Sequence, residues 1–280
     1  MYLSTLLPVF LIVIQLASAA SDWSFANWNG YTSTSWSKKW NVVQWSYPHN
    51  MNDVAIVSDP VSKQDKVLRI LYPKGSYNPS GTKIGGAGFY AKPMDIPADT
   101  RTITLTYQVL FPLGFDFKRV NCVLGGKLPG LYGGHSGCSG GNSATTCFST
   151  RLMWRKSGGG EMYAYMPKNE QVKSLCNTKE VVCNQEYGYS LGRDSFSWKT
   201  GKWNTITQTI NLNTVGKQDG SATVQYNGQT VFSVESLVYR MSQYTVAGID
   251  FETFFGGSTA QWATPKSQYA YFKGFKLSYQ

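Results

Sequence analysis

Apolar and polar residues alternate with a period of two along almost the whole chain after residue 20, and no stretch carries a long apolar stripe at helical spacing. This pattern predicts a mostly β fold. Nine segments bounded mainly by Gly, Pro, Asn or Ser are expected to be strands, at 67–71, 102–111, 148–154, 161–166, 203–212, 222–226, 229–234, 248–255 and 269–279. Many strands without long linkers favour one all-β domain, a sandwich of two sheets.

One turn is specified especially clearly. Asn227 and Gly228 separate two alternating segments, and this dipeptide suits the positive φ angles of a type I′ turn. We therefore expect a tight hairpin at this point, with residues 222–226 paired to residues 229–234.

The first twenty residues differ from the rest. An uncharged apolar run at 6–16 is followed by Ala17-Ser18-Ala19, the small-x-small pattern of a signal-peptidase site. The alternative is a membrane anchor, but the run is shorter than the roughly 20 residues that a helical span needs. We expect a secretory signal peptide at 1–20, a single domain at 21–280, and a secreted, extracellular protein.

The charge balance suggests the kind of partner. Lys and Arg total 26 against 16 Asp and Glu, a formal net charge of +10 that belongs to the part after residue 20. Such a field attracts polyanions, namely nucleic acid, anionic lipid or acidic polysaccharide. The basic residues are scattered, and export removes the usual nucleic-acid partner, so nucleic acid is the poorer choice. The 9 Trp, 18 Tyr and 14 Phe suit half-buried sheets and stacking on sugars.

Five cysteines lie in the middle of the chain. Close pairs are favoured in an oxidising compartment, which suggests Cys138 with Cys147 and Cys176 with Cys183 and leaves Cys122 unpaired, although the sequence does not prove this connectivity. Zinc is a poor alternative because no CxxC spacing occurs and the chain has only two His. We expect neither a metal site nor a cofactor.

The segment 148–166 carries the candidate chemistry. If residues 156–160 form a five-residue hairpin loop, the opposed residues are Arg155 with Glu161, Met153 with Tyr163, and Arg151 with Tyr165. In that register one sheet face collects Ser149, Arg151, Tyr163 and Tyr165. A loop one residue longer or shorter would place one strand's side chains on the other face and scatter the group.

A cation beside two phenols suits elimination from a uronic acid. The C5 proton becomes acidic when the adjacent carboxylate is neutralised, a base then removes it, and an acid protonates the leaving glycosidic oxygen. Lys127 and Arg151 are the natural cations. The structural alternative is that the tyrosines only pack and that the glycine-rich segment 125–134 is a surface loop.

Three motifs, GKLPGLYGG at 126–134, FSTRLMWR at 148–155 and YAYMP at 163–167, together resemble polysaccharide lyase family 14, the alginate and glucuronan lyases. The resemblance implies a β-jelly roll with a basic groove and metal-independent, endolytic β-elimination of a polyuronate. It places the catalytic set on Lys127, Ser149, Arg151, Tyr163 and Tyr165. We expect Tyr163 or Tyr165 to act as base and acid, Lys127 and Arg151 to neutralise the carboxylate, and Ser149 to be a positioning donor.

Further expectations concern binding. Tyr132, His135 and Arg155 are candidate substrate contacts, although the loop position of His135 favours a solvated or backbone-bonded side chain. The expected partner is an anionic polysaccharide, mannuronate-rich alginate before β-glucuronan, bound by a monomer without nucleic acid or membrane. The rivals are a lectin of the same shape and a glycoside hydrolase using Asp250 and Glu252, which we interpret instead as structural or groove-end residues.

Overall fold

The computed structural model describes residues 21–32, 34–46, 52–79, 81–117, 125–257 and 259–280. The predicted signal peptide and Cys122 lie outside the described residues.

The described chain is almost entirely β-structure, with one short helix, α1 (Trp36–Lys39). Single turns of 3₁₀ helix lie at Lys156–Gly158, Lys168–Glu170, Leu175–Asn177 and Ala260–Trp262. The strands are β1 (Ser21–Phe25), β2 (Val42–Trp45), β3 (Val54–Ser58), β4 (Lys66–Tyr72), β5 (Ala87–Ala91), β6 (Thr102–Leu110), β7 (Gly125–Gly133), β8 (Phe148–Arg155), β9 (Gly159–Tyr165), β10 (Tyr189–Ser197), β11 (Trp203–Asn211), β12 (Gly220–Tyr226), β13 (Gln229–Leu237), β14 (Val246–Thr253) and β15 (Gln268–Tyr279). Within the described parts of the chain, none of the helices has the length and apolarity that crossing a bilayer would require.

The strands form two antiparallel sheets. The first has the order β13-β12-β11-β6-β15-β4-β3, with β1 also paired to β15, and the second has the order β10-β9-β8-β7-β14-β5-β2. Neighbours in space are often distant in sequence, as where β7 pairs with both β8 and β14. The predicted all-β sandwich is confirmed, and its architecture is the jelly roll that the resemblance implied.

Apolar side chains from both sheets fill the space between them. Trp28, Trp36 and Trp40 are wholly buried and pack, mostly edge to face, around Phe89 and Phe275. Each wholly buried large apolar side chain stabilises the fold by roughly 1.5–3 kcal/mol relative to an exposed one. The second sheet therefore has one face in this core and a second face free to carry polar chemistry.

All nine predicted strands are present. The Asn227-Gly228 hairpin is also confirmed, because both residues have positive φ angles, 50° and 82°. Strands β1, β2, β3, β5, β7 and β10 were not predicted. β5 shows no alternation because all five of its residues are buried, and β7 is rich in glycine.

The register between β8 and β9 differs from the prediction by two residues. Ser149 faces Tyr165, Arg151 faces Tyr163, and Met153 faces Glu161. The connection is the three-residue turn Lys156–Gly158, which is closed by the positive φ angles of Ser157 and Gly158. A shift by two keeps every side chain on its face, so the predicted grouping survives this correction.

Candidate active site

Strand β7 places Lys127 at the centre of the polar face. Its glycines are required by close packing, since a Cβ on Gly126 would lie 1.9 Å from the Trp154 ring and one on Gly130 would lie 2.1 Å from a backbone oxygen. A bulge between Leu128 and Gly130 accommodates Pro129, which has no N–H to donate. The surface-loop alternative is therefore wrong, because this segment is an interior strand of the second sheet.

The Lys127 ammonium lies among other positive charges. Its Nζ is 4.3 Å from the centroid of the Tyr163 ring and 3.1 Å from Sδ of Met153. Burial, followed by repulsion from Arg151 and Arg155, holds the pKa of Lys127 well below its usual value. The attraction of Glu161 and Glu252 does not offset these effects. The charged form of Lys127 is therefore less favoured here than that of an exposed lysine.

Arg151, on β8, is bonded to carboxylates on β14, which lies on the other side of β7 in the same sheet. It is 2% exposed, its Nη1 forms an ion pair with Glu252, and its Nε lies 3.6 Å from Asp250. Burial and the negative charge of Glu252 raise the pKa of Asp250 well above its usual value. Both acids pair with Arg151, and Asp250 is wholly buried, which disfavours the hydrolase alternative, since that chemistry needs both carboxyl groups directed at the substrate.

Tyr163 and Tyr165 meet edge to face, with ring centroids 5.8 Å apart. The Tyr163 hydroxyl accepts a hydrogen bond from the backbone N–H of Gly188 at 3.1 Å, and that of Tyr165 accepts one from Gly141 at 3.4 Å. Burial, with a smaller effect of Tyr165, raises the pKa of Tyr163, so its phenol keeps its proton. Tyr163 is half-buried, whereas Tyr165 is almost entirely enclosed.

Glu161 is wholly buried and joins two arginines. It accepts hydrogen bonds from Nε of Arg155 at 2.8 Å and from Oγ of Ser190 at 2.5 Å, and it pairs with Nε of Arg193 at 2.5 Å. Burial opposes ionisation of Glu161, but the arginines outweigh it and lower the pKa. The predicted Arg155–Glu161 pair is present, although it bridges the strands diagonally.

A disulfide-closed loop covers one end of this face. The pairs Cys138–Cys147 and Cys176–Cys183 are both bonded, which confirms the predicted connectivity for these four residues. Ser149, itself buried, donates a hydrogen bond of 2.8 Å from Oγ to the carbonyl oxygen of Cys138. Its hydroxyl therefore holds the loop 134–147 against strand β8.

A groove of about 800 Å³ runs along this face. Of the residues expected from the sequence, it is lined by Lys127, Arg151, Arg155, Tyr163 and Tyr165. Glu252, interpreted above as a structural or groove-end residue, lines it too, whereas Asp250 does not. Ser149, Tyr132 and His135 do not line it.

The three other expected residues lie behind or beside the groove. Tyr132 is buried edge to face against Tyr90, and burial, assisted by Asp250, raises its pKa to about 12. His135 is exposed, with Nδ1 at 2.7 Å from the Ser136 carbonyl oxygen and Nε2 at 3.0 Å from Oγ1 of Thr146. The His135 ring therefore contacts the protein backbone, as in the alternative to a substrate contact that the sequence analysis gave.

The groove also contains residues that sequence reasoning missed. Tyr90, Tyr187, Arg193 and Trp262 line it from strands or loops that carried no recognisable motif. Trp262 lies in the single turn Ala260–Trp262 that follows β14, outside the three motifs of the sequence. Across the described residues, no three His, Cys, Asp or Glu side chains are grouped so that they could hold a metal ion.

Comparisons with known proteins agree on one family. The model of the family Polysaccharide lyase 14 matches residues 60–275. A marine PL-14 alginate lyase from Aplysia kurodai is 36% identical, with a TM-score of 0.78 over 91% of this chain and 97% of that one. The alginate lyase vAL-1 from Chlorella virus is 28% identical, with a TM-score of 0.70 over 87% of this chain and 94% of that one.

A curated relative is larger than this chain. Exolysin of Paramecium bursaria Chlorella virus 1 is 27% identical over 205 residues, which are 67% of this chain but only 30% of that protein. The chain therefore spans less than a third of the length of this relative.

Proposed function

The chain belongs to polysaccharide lyase family 14, and from that premise we propose that it cleaves an anionic polysaccharide by β-elimination and leaves unsaturated uronate ends. The observation that carries this proposal is the placement of the Lys127 amine in the groove, 4.3 Å from the centroid of the Tyr163 ring, which itself meets the Tyr165 ring edge to face. The preferred substrate is mannuronate-rich alginate, with β-glucuronan second, because both structures compared above are of alginate lyases.

Lys127 is the base in this proposal. A neutral amine removes the C5 proton of the uronate, and the electron pair of that C–H bond forms the C4–C5 double bond as the C4–O bond breaks. This assignment differs from the sequence expectation, which gave Lys127 the role of a charged neutraliser. It rests on the position of the Lys127 amine beside Tyr163 in the groove and on the downward direction of its pKa shift, since only an amine without its extra proton has a lone pair to accept one.

Tyr163 is the acid. Its raised pKa keeps the phenol protonated, and it is the more accessible of the two tyrosines. The phenol proton passes to the leaving glycosidic oxygen, so the amine gains one proton and the phenol loses one in each turnover. Tyr165 packs beneath it and supports the loop 134–147 through its hydrogen bond with Gly141.

Two arginines make the groove electrostatically positive around the proposed reaction centre. Arg151 and Arg155 line the groove and disfavour a proton on Lys127, while their positive charge stabilises the carboxylate-bearing intermediate that forms when C5 loses its proton. Arg151 is a positioning residue in this assignment, because it is buried and bonded to Glu252. Ser149 acts similarly, through the Cys138 carbonyl.

The test is to follow the ultraviolet absorbance of unsaturated uronate ends. The purified protein is incubated, with a chelator present, with mannuronate-rich alginate, guluronate-rich alginate, glucuronan and pectate in parallel, and Lys127→Ala serves as the inactive control. We expect the steepest rise with mannuronate-rich alginate. Reducing ends without unsaturation would indicate a hydrolase, and binding without any cleavage by the folded protein would indicate the lectin alternative.

Secretion is a further part of the proposal. It is supported by the apolar leader pattern at 1–20 and by the two disulfides, since disulfides persist in oxidising compartments. We propose that the enzyme acts outside the cell as a monomer, where a polysaccharide substrate is accessible.

A further inference from the structure

A buried carboxylate fixes two arginines at the groove. Glu161 is wholly buried, whereas Arg155 and Arg193, which both contact it, line the groove. One negative charge between two positive charges leaves a net positive charge, which faces the groove. Because Glu161 is hydrogen-bonded on both oxygens, neither arginine is free to move away.

The guanidinium of Arg193 is engaged on one side only. Its Nε contacts both Glu161 and the hydroxyl of Ser190, whereas Nη1 and Nη2 have no hydrogen-bond partner within the described part of the chain. The side chain is 27% exposed. Two parallel N–H donors on one planar edge match a carboxylate, which accepts such a fork through both oxygens.

The backbone of β10 directs Arg193 to this side. Leu191 pairs with Met162 and Phe196 with Gly160, so five steps along β10 match only two along β9. Leu191 and Phe196 both pack in the core, although a regular strand would put residues five apart on opposite faces. Gly192 and Asp194, with φ angles of 68° and 60°, make this bulge and allow Arg193 to face the groove rather than the core.

The arginine pair lies next to the proposed reaction centre. Cζ of Arg155 is 5.5 Å from the centroid of the Tyr163 ring, the same ring that Lys127 contacts. Every sugar of a polyuronate carries a carboxylate, so a sugar bound beside the one being cleaved brings a second carboxylate into the groove.

We propose that Arg193, assisted by Arg155 and held by Glu161, forms a carboxylate-binding subsite for a uronate next to the one that is cleaved. This inference rests on the proposed function. It makes Arg193 a substrate-binding residue with no part in proton transfer, and it makes Glu161 its positioning residue. The groove then selects chains in which neighbouring sugars are both acidic.

The experiment compares Arg193→Met, Arg193→Lys and the wild type on oligomannuronate. For Arg193→Met we expect KM to rise about tenfold while kcat stays within about twofold, because a charge-assisted hydrogen bond to bound substrate is lost. Arg193→Lys keeps the charge next to Glu161, and therefore the fold, but loses the planar fork, so its KM should be intermediate. Arg101→Met is the matched control, because Arg101 is an exposed arginine that pairs with Asp219 away from the groove.

Binding provides the second readout. In the Lys127→Ala background, calorimetry with the same oligosaccharide should show the dissociation constant rising by a factor similar to that of KM when Arg193→Met is added. An unchanged KM and dissociation constant, or a fall in kcat alone, would overturn the subsite. If the wild type binds oligomannuronate without cleaving it and Arg193→Met weakens that binding, the subsite stands and the lyase proposal fails. If the wild type does neither, both are overturned.

Discussion

At the scale of single residues, burial and nearby positive charges both disfavour the charged form of Lys127. A lysine is placed on an interior strand, against the face of a tyrosine ring and near two arginines. Each of these arginines has its own carboxylate partner, Glu252 for Arg151 and Glu161 for Arg155. The positive charge of each arginine is therefore balanced by a carboxylate, whereas the proton on Lys127 is disfavoured by burial and by these arginines.

The substitution Lys127→Arg distinguishes a base from a neutraliser. A guanidinium keeps the positive charge but does not release its proton, so kcat should fall by about 10²- to 10⁴-fold if Lys127 is the base. In the wild type, kcat should rise with pH through the lowered pKa of Lys127, because the neutral amine is the active form. The absorbance assay across pH measures both effects, with the exposed Lys92→Arg as control. Retained turnover in Lys127→Arg would return Lys127 to the neutralising role.

At the scale of elements, the site is built from neighbouring strands whose contributions differ in how well a sequence shows them. Regular alternation in 148–155 correctly predicted that Ser149 and Arg151 share a sheet face with the tyrosines. The error of two residues in register did not change this result, because side chains two residues apart lie on the same face. The bulge in β10 removed the alternation that would have placed Arg193, and complete burial removed it from β5, which carries Tyr90. Pairing between distant strands, such as β7 with β14, has no local signal at all.

The contact between strand β8 and the disulfide loop gives a prediction about Ser149. Ser149→Ala should lower kcat roughly tenfold and the free energy of unfolding by about 1 kcal/mol, because the buried Cys138 carbonyl loses its donor. If Ser149 acts only through the loop, adding Cys138→Ser and Cys147→Ser should not multiply the loss in kcat.

Thr150→Val is the matched control for this cycle. Thr150 is the next residue, points to the core face, and its Oγ1 has no hydrogen-bond partner within the described residues. Its replacement should leave turnover intact. Fully multiplicative losses in the Ser149 and cysteine variants would indicate instead that Ser149 acts on the substrate independently of the loop.

At the scale of the whole molecule, the two sheets carry different groups of polar residues. The polar face of the second sheet carries the groove, whereas the first sheet carries a separate charged cluster around Asp59. Its carboxylate accepts hydrogen bonds from Lys273 on β15 at 2.7 Å and from Trp203 on β11 at 3.3 Å. It also accepts them from the backbone N–H groups of Val61 and Ser62. Composition and alternation predicted the sandwich, but they do not show that Asp59 joins residues more than a hundred positions away.

Substitution at Asp59 should therefore affect stability without affecting catalysis. Burial opposes ionisation of Asp59, but the hydrogen bonds from Lys273 and the backbone outweigh it and lower the pKa. A lowered folded-state pKa stabilises the protein at pH values above the unfolded-state pKa, and this contribution is lost as the pH falls through the folded-state pKa.

We expect Asp59→Asn to lower the free energy of unfolding by about 1–2 kcal/mol at pH 7, or Tm by roughly 3–6 °C. The difference in Tm between the variant and the wild type should narrow in acid. Asp219→Asn, which breaks an exposed pair with Arg101, should change Tm little. An unchanged KM and kcat for Asp59→Asn below its Tm would support the division between the sheets, whereas a lost activity in the folded variant would show that the first sheet also positions the groove.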